Sequence, residues 1–535
     1  GANASVYLRG ADAKQNVVLV DGVRVGSSTT GAATWATLPL ASVERVEIVY
    51  GPLATMYGAD AIGGVVQIFT RRGAGPASVF AQAGGGSRGY RTAEAAVAGG
   101  TDGEHAVHYA FALARDKDQG FSSLRPGSSQ YNPDLDGYDR DSASARVGVR
   151  VAEHTEAGLV YLHSHLNAQY DSGSSSYDSR TIKNLDNVAV YGRHQFTPGW
   201  TVQLQAAESS DESTDLTGTS ASGTSRIETR QNFYTLQSDL ALGTDLVQVF
   251  AERRIEEVVS NTSAALTRAR STNSLAAAYS LKRGAHLASV SVRDDDSSQY
   301  GSKVTGALGY GLRLSPALRA NASAGTSFRA PTFNELYFGG YGVASNRPER
   351  GRNLEAGLHY QAGATRASLV AYRNRLTDLL VNLGKCPVEV ATHPSGCAYN
   401  VDRATLRGVS LDGATRFGGL ELRTTLDWQD PRDDTTGKQL TRRARRHGVV
   451  AADYTRGPYS VGASVLFSGR RFDDAANRNA LAGYGLVNLH ASYAFAPDWS
   501  ILARWNNATD KRYELARNYN TAGSTLYAGL RYGFH

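Results

Sequence analysis

From residue 73 onward, apolar and polar side chains take turns along short segments of the chain. In 106–114, Val107, Tyr109, Phe111 and Leu113 alternate with His108, Ala110, Ala112 and Ala114. In 145–151, Ala145, Val147, Val149 and Val151 alternate with Arg146, Gly148 and Arg150. The same period recurs in 200–206 (Trp200, Val202, Leu204, Ala206) and 420–428 (Leu420, Leu422, Thr424, Leu426, Trp428). The chain ends with Leu526, Ala528, Leu530, Tyr532 and Phe534 on one face. A period of two puts successive side chains on opposite faces, so each segment reads as a β-strand with one oily face. A soluble β-sandwich shows the same alternation. Two features favour a membrane barrel. Several polar faces carry charge or Gln throughout, as a wet lumen requires. Segments also end in aromatics, at Tyr109, Trp200, Trp428, Tyr493, Trp505 and Phe534, as girdles at the two membrane surfaces require. About 460 residues at roughly 21 per strand and connection give about 22 strands. No strand edge can stay unpaired in hydrocarbon, so the last strand is expected to meet the first. Long polar connections are expected at 116–140, 167–187, 208–230, 334–352, 383–403, 428–446 and 470–483.

The first 72 residues read differently. Val43-Glu44-Arg45-Val46-Glu47-Ile48-Val49-Tyr50 is a short amphipathic strand, in which Val43, Val46, Ile48 and Val49 are expected to be buried. A Gly51-Pro52 turn and a Tyr57-Gly58 turn follow. Gly63-Gly64 then permits close backbone approach before Val65-Val66-Gln67-Ile68. On spacing alone any α/β protein could carry this. The junction Thr70-Arg71-Arg72-Gly73-Ala74-Gly75-Pro76 is polar and turn-rich, which predicts a globular unit over 1–72 and the barrel over 73–535.

Composition sharpens this picture in three places. Mean hydropathy is −0.35, and no run approaches the ~20 apolar residues of a spanning helix. That leaves a β-barrel open, because its strands alternate. The 28 Tyr outnumber the 15 Phe and 5 Trp, which suits rings placed between oil and water. The 56 Lys and Arg are interspersed among 50 Asp and Glu, so the net charge of +6 reads as solvated surface and lumen, not as a nucleic-acid face. Cys386 and Cys397 are either a single disulfide of an oxidising compartment or two free thiols. His163 and His165, two apart on one strand face, could ligate a metal, but a lumen face is the plainer reading. No Gly-x-Ser-x-Gly, Walker loop, His-Glu-x-x-His or Cys-x-x-Cys is present, so the chain is read as no enzyme.

The stretch Val43–Thr70, with Tyr7-Leu8-Arg9-Gly10 and Val17-Val18-Leu19-Val20-Asp21-Gly22-Val23-Arg24 upstream, resembles the plug domain of TonB-dependent outer-membrane receptors. Gly325-Thr326-Ser327-Phe328-Arg329-Ala330-Pro331 and Asn506-Asn507-Ala508-Thr509-Asp510-Lys511-Arg512-Tyr513 are similar to motifs shared across that family. The resemblance implies an all-β membrane protein, a 22-stranded antiparallel transmembrane barrel with a small α/β plug in its lumen. It implies a monomer in the bacterial outer membrane, in contact with lipid and lipopolysaccharide, that takes energy from TonB. The family's TonB box and the first part of its plug have no counterpart in these residues, so contact with TonB is expected through a segment outside them.

The loops narrow the expectation. Asn132-Pro133-Asp134-Leu135-Asp136-Gly137-Tyr138 carries two carboxylates two residues apart. Gln169-Tyr170-Asp171 and Tyr177-Asp178-Ser179-Arg180 follow one strand pair later. Hard Ca²⁺ takes six to eight oxygens, several from carboxylates on flexible loops, though Asp-rich polar loops are common without it. The pattern resembles the cobalamin (vitamin B12) receptors within the family. It implies calcium, one or two ions, held by Asp134, Asp136, Tyr170, Asp171 and Asp178. Ser122 stands where those relatives carry a further Asp, which implies a weaker site. The resemblance also implies cobalamin contacts from the plug's apical loop, at Ser28, Thr29, Thr30 and Gly31, and from Tyr337 and Tyr341. An iron siderophore or haem is the alternative cargo, and a passive porin-like channel the alternative of another class.

Overall fold

The structure is a computed structural model that describes residues 3–51, 56–172, 177–218 and 223–534, apart from the side chain of Asp402. Pro52, the tips of the expected 167–187 and 208–230 loops, and His535 lie outside the described residues.

Four strands make the N-terminal sheet: β1 (Asn16–Val20), β2 (Val23–Arg24), β3 (Val43–Tyr50) and β4 (Gly64–Thr70), in the order β2-β1-β4-β3. β1 and β2 are a hairpin whose two turn residues, Asp21 and Gly22, both have positive φ (48° and 86°), as a tight right-twisted hairpin requires. β1 runs parallel to β4, and β4 antiparallel to β3. Gly63 is where the two-glycine step is needed. A Cβ there would stand 2.2 Å from Asn16 Oδ1 and 2.5 Å from Ala11 Cβ.

One expectation fails here. Val46 and Ile48 are 52% and 43% exposed. β3 is the edge of the sheet, flanked only by β4; Val43 and Val49 pack on plug clusters, while Val46 and Ile48 are left uncovered.

Among the described residues, 22 strands close into one antiparallel ring, from Ser78–Gly86 round to Thr525–Phe534. The last strand pairs with the first, with Phe534 opposite Val79 and Tyr527 opposite Gly86. The alternation sorts as the pattern requires: Phe111 and Leu113 face out (44% and 63% exposed), while Ala110 and Ala112 between and beside them are buried. One rim has two-residue turns at 243–244, 284–285, 363–364 and 418–419, each opening with a glycine at positive φ. The other rim carries the connections 119–137, 330–348, 384–396, 434–445 and 507–524.

Three details differ from the sequence reading. The 208–230 stretch is mostly strand, because the ladder of Trp200–Leu216 with Thr224–Leu242 continues to Leu216 opposite Thr224. Its charges pair across the strands, as in Arg226 with Glu212 at 2.8 Å, so a polar composition there does not mean loop. The 507–524 connection was not foreseen as a long one. His163 and His165 share parity with the exposed Tyr161 and Leu159 and lie on the outer wall, not the lumen. They meet Asp186 and Asn184, each at 2.7 Å.

The N-terminal unit sits inside the ring. Val18, Val20, Val66 and Ile68 form one apolar cluster with Leu162 and Leu185 of the barrel wall. Ala11 and Ile62 form another with Leu376, Leu379 and Leu406. The plug core is thus completed by the barrel, since four short strands alone bury too little apolar area.

Candidate functional site at the long-loop rim

Strand Thr155–Gln169 ends just before Tyr170-Asp171. Asp171 reaches into the neighbouring 119–137 connection and organises it. Its carboxylate accepts hydrogen bonds from Leu124 N–H (2.7 Å), Asn132 N–H (3.1 Å) and Ser123 Oγ–H (3.2 Å). Asp136 accepts from Ser123 N–H at 2.5 Å, and Asp134 from Asn132 Nδ2–H at 2.7 Å. The loop folds this tightly because Gly120 lacks a side chain. With φ +73°, a Cβ there would fall 1.9 Å from Asp136 O.

One carboxylate oxygen each from Asp134, Asp136 and Asp171 lies within 4.8 Å of the others. Burial pushes the Asp134 and Asp136 carboxyls above the usual carboxylate range, and the charge of Asp171 adds to the rise in both. Ser123 and the loop's own backbone N–H groups oppose it only in part. Asp134 Oδ1 is buried with no hydrogen-bond partner. The trio is therefore a concentration of hard oxygen donors with an unmet demand for positive charge.

Of the other two expected ligands, Asp178 lies outside the close cluster, though its charge adds to the rise at Asp134, and Tyr170 has its partners elsewhere. Asp178 is ion-paired to Arg180 (2.7 Å) and accepts from Gln169 Nε2–H (2.7 Å), although its Oδ1 is buried without a partner. Tyr170 is joined to Ser179 through its backbone N–H, and its phenol is pushed up by burial and by Asp215, which is not of the trio. Ser122 Oγ, where a further carboxylate was looked for, lies 3.4 Å from Asp171 Oδ2 with Asn132 O in reach at 3.0 Å.

A partner of the acidic loop went unrecognised in the sequence. The 507–524 connection packs on it: Asn520 Nδ2–H donates to Ser122 O and Leu124 O (2.9 Å each), Arg125 N–H to Asn518 O (2.9 Å), and Arg125 pairs with Glu514 (2.9 Å). Ring closure causes this, because it sets the last strand beside the first. No local signal in the sequence marks a contact between residues some 400 apart.

The apical loop of the plug is more enclosed than expected. Ser28 and Thr29 are buried, and of Ser28–Gly31 only Thr30 is exposed. Ser28 Oγ–H donates to Glu256 of the barrel wall at 2.8 Å, and the Ser28 and Thr29 carbonyls accept from Phe333 and Asn334 N–H. Those belong to a short helix, α1 (Phe333–Tyr337), whose Thr332 cap accepts from Glu335 N–H while Glu335 accepts from Thr332 N–H. Gly31 makes the fit: at φ +75°, a Cβ would meet Thr332 Cγ2 at 2.7 Å. Tyr337 accepts from Gln299 Nε2–H at 2.6 Å and has the Arg268 guanidinium 4.3 Å above its ring. Tyr341 Oη–H donates to Asn382. Cys386 and Cys397 are bonded to each other, and their cluster with Val343 holds the 384–396 connection against 341–343.

Behind α1 lies a buried ionic seam between plug and wall. Arg329 meets Glu335 (2.9 Å) and Glu349 (2.8 Å), Lys14 of the plug meets Glu335 (2.5 Å), and plug Gln15 donates to Glu349 (2.8 Å). Burial alone would raise the Glu335 carboxyl, but Arg329 and Lys14 overcome it and hold it at about 2. Barrel arginines also grip plug carbonyls. Arg443 donates to Gly10 O (2.6 Å), Arg140 to Ala36 O (2.8 Å) and Arg293 to Met56 O (3.1 Å).

Comparison with known proteins agrees with this architecture. Residues 1–65 match the TonB-dependent receptor plug domain, and residues 103–508 the TonB-dependent receptor-like β-barrel. The chain is 31% identical, over all of its length and 87% of the relative's, to a Photobacterium profundum protein named vitamin B12 transporter BtuB. It is 27% identical, over 99% of its length and 84% of the relative's, to the Vibrio vulnificus protein of the same name. Among solved structures, the siderophore receptor PirA of Acinetobacter baumannii superposes with a TM-score of 0.83 at 18% identity, covering 98% of this chain and 91% of that one. The copper transporter OprC superposes at 0.82 with 15% identity, covering 100% and 92%. At such identities these two speak for the fold alone.

Proposed function

The chain belongs to the TonB-dependent receptors of the bacterial outer membrane, and on that premise we propose that its cargo is cobalamin, captured at the long-loop rim and passed to the periplasm with energy from TonB. The observation that carries this reading is the 31% identity across the whole chain with a protein named vitamin B12 transporter. The plug sits inside the ring, so in this scheme it shifts or rearranges for cargo to pass. Beside the apolar clusters, its contacts with the wall include hydrogen bonds and ion pairs, which water re-forms with both partners when they part. The chain carries out no covalent chemistry in this scheme, and it acts as a monomer surrounded by lipid.

The proposal includes a calcium ion at the acidic trio. The residues fit one: three carboxylates converge from two loops, and a buried Asp134 oxygen lacks a partner. Asp134, Asp136 and Asp171 would hold it, with Asp178 at the margin. Bound there, calcium supplies positive charge that relieves the mutual repulsion of the three carboxylates. The connection 119–137 and the residues beside Asp171 and Asp178 then keep one arrangement, and less ordering remains to be done when cargo arrives.

The test is a titration of the purified protein with cyanocobalamin, with calcium and with chelator, beside Asp134→Asn. Tight binding that weakens on chelation, and an Asp134→Asn protein that no longer responds to calcium, are expected. Binding indifferent to calcium sinks the metal and spares the cargo. Binding of a ferric siderophore or haem in place of cyanocobalamin sinks the cargo.

A further inference from the structure

The wall of the ring has a seam that opens before its strands end. Strands Gly301–Arg313 and Leu318–Arg329 pair from Arg313 opposite Arg319 up to Ala307 opposite Gly325, and no further. Both run on past that point, each still paired to its other neighbour, with Gly301 opposite Ser297 and Arg329 opposite Glu349. A recess of about 1080 Å³ begins there, with Val304 and Thr305 on one side and Thr326, Ser327 and Phe328 on the other. The last hydrogen bond across the seam goes to a side chain: Gly306 N–H donates to Thr326 Oγ1 at 3.1 Å.

The plug accounts for the gap. Continued past Ala307 and Gly325, the register would set Val304 opposite Phe328 and Ser302 opposite Ala330. Backbone groups two residues apart point to the same side of a strand, so these residues would share one ladder edge. Asp60 of the plug has taken that edge instead. Its N–H donates to Phe328 O at 2.9 Å, and its carboxylate accepts from Ala330 N–H at 3.2 Å. One plug residue thus stands in for two rows of the missing partner strand. Asp60 is buried and is itself held, because Arg24 donates to its other carboxylate oxygen at 2.6 Å. Phe328 has the outward parity of the exposed Ala322 and Ala324, yet it is only 8% exposed, as expected of a strand end drawn inwards.

We infer that Asp60 is a wedge that holds this seam open while the plug is seated, and that the two strands re-pair when the plug moves. One edge of the wall then has two alternative partners. Phe328 and Ala330 bond either to the plug or to Val304 and Ser302. An unpaired strand edge is costly at a membrane wall and pairs where a partner in matching register lies near. Pairing gained in the wall offsets hydrogen bonds lost at the departing plug, so seated and displaced plugs differ by less than the plug's own contacts suggest. The re-formed rows also shut the gap in the wall while the plug is displaced. The inference rests on the proposed movement of the plug and not on the identity of the cargo.

The test is disulfide trapping across the seam, in the full chain purified in detergent. Thr305 and Ser327 face each other in the re-paired ladder, so Thr305→Cys/Ser327→Cys cross-links when the strands close. The rate under a mild oxidant is read by mass in three backgrounds: parent, Asp60→Gly and Lys14→Met. Glycine accepts the φ of +78° at this position and removes the carboxylate, whereas Lys14→Met loosens the plug at another contact and leaves Asp60 in place. Asp60→Gly is expected to speed cross-linking about tenfold over the parent, and Lys14→Met to change it by less than about twofold. Equal rates in the parent and Asp60→Gly overturn the inference. Equal acceleration by Lys14→Met overturns it too, because the plug would then be loosened at large. If Asp60→Gly yields no folded barrel, Asp60→Asn, which tolerates the same φ and loses the charge, is expected to speed cross-linking in the same sense, and a parental rate with it overturns the inference likewise. Cargo binding is not read, so a receptor for another cargo gives the same result.

Discussion

Two groups of carboxylates in this molecule live under opposite conditions. At the seam between plug and wall, Glu335 and Glu349 are 2% and 0% exposed, and Arg329 and Lys14 answer them. At the long-loop rim, Asp134, Asp136 and Asp171 converge on one another, and among the described residues no Lys or Arg is ion-paired to them. The first group is complete, and its charges hold two parts of the fold in register. The second has no such answer among the described residues, and in the proposed scheme calcium supplies it. The same residue type is thus a structural tie in one place and, in that scheme, a binding group in the other.

Breaking the seam is expected to cost most. Arg329→Ala leaves buried Glu349 without its cation and Glu335 with Lys14 alone, a loss of about 3–5 kcal/mol. It would be read as a lower thermal unfolding transition of the purified protein in detergent. Asp171→Ala comes next, because it strips acceptors from the Leu124 and Asn132 N–H groups, at about 1–3 kcal/mol. Faster proteolysis within 119–137 and loss of any calcium response would report it. If Asp171→Ala proved milder than Asp178→Asn, the rim would not be organised around that carboxylate.

The two groups should also answer acid in opposite senses. Glu335 is held at about 2, below its ordinary 4.5, so its contribution is present above 4.5 and is lost as pH falls towards 2. Asp134 and Asp136 are raised, so the metal-free loop is most stable when they are protonated and loosens as pH rises through their range. Calcium displaces those protons, so its binding should tighten over the same rise. Proteolysis in chelator at about pH 4 and about pH 7, with calcium titrations at each, checks both signs. The smallest effect is expected from Asp178→Asn. That half-exposed carboxylate already has Arg180, and its loss should cost no more than about 1 kcal/mol.

Much of this was legible in the chain itself. The barrel was readable because lipid on one side and water on the other impose a period of two, which is interrupted only near strand ends, as at Gln195–Thr197 and Arg150–Ala152. The acidic trio was readable in part, since Asp134 and Asp136 are neighbours and Asp171 lies one strand pair away. Tyr170 and Asp178 fit the same local pattern, yet Asp178 lies outside the close cluster and Tyr170 has its partners elsewhere, because local spacing does not fix where a side chain turns once the loop is packed. The enclosed Ser28 and Thr29 were unreadable for a related reason: α1 covers them, and it arrives some 300 residues later.

The sequence by itself determined strand, face and the approximate ring size, since these follow from local alternation and total length. Only the tertiary structure decided which charges are answered. Ring closure brought 507–524 onto the acidic loop, and seating the plug brought Lys14 to Glu335. The strand register set Arg352 against Arg375 and sent His163 to the outer wall. Electrostatic pairing acts over a few ångströms of space and is indifferent to distance along the chain, so it cannot be read before the chain is folded.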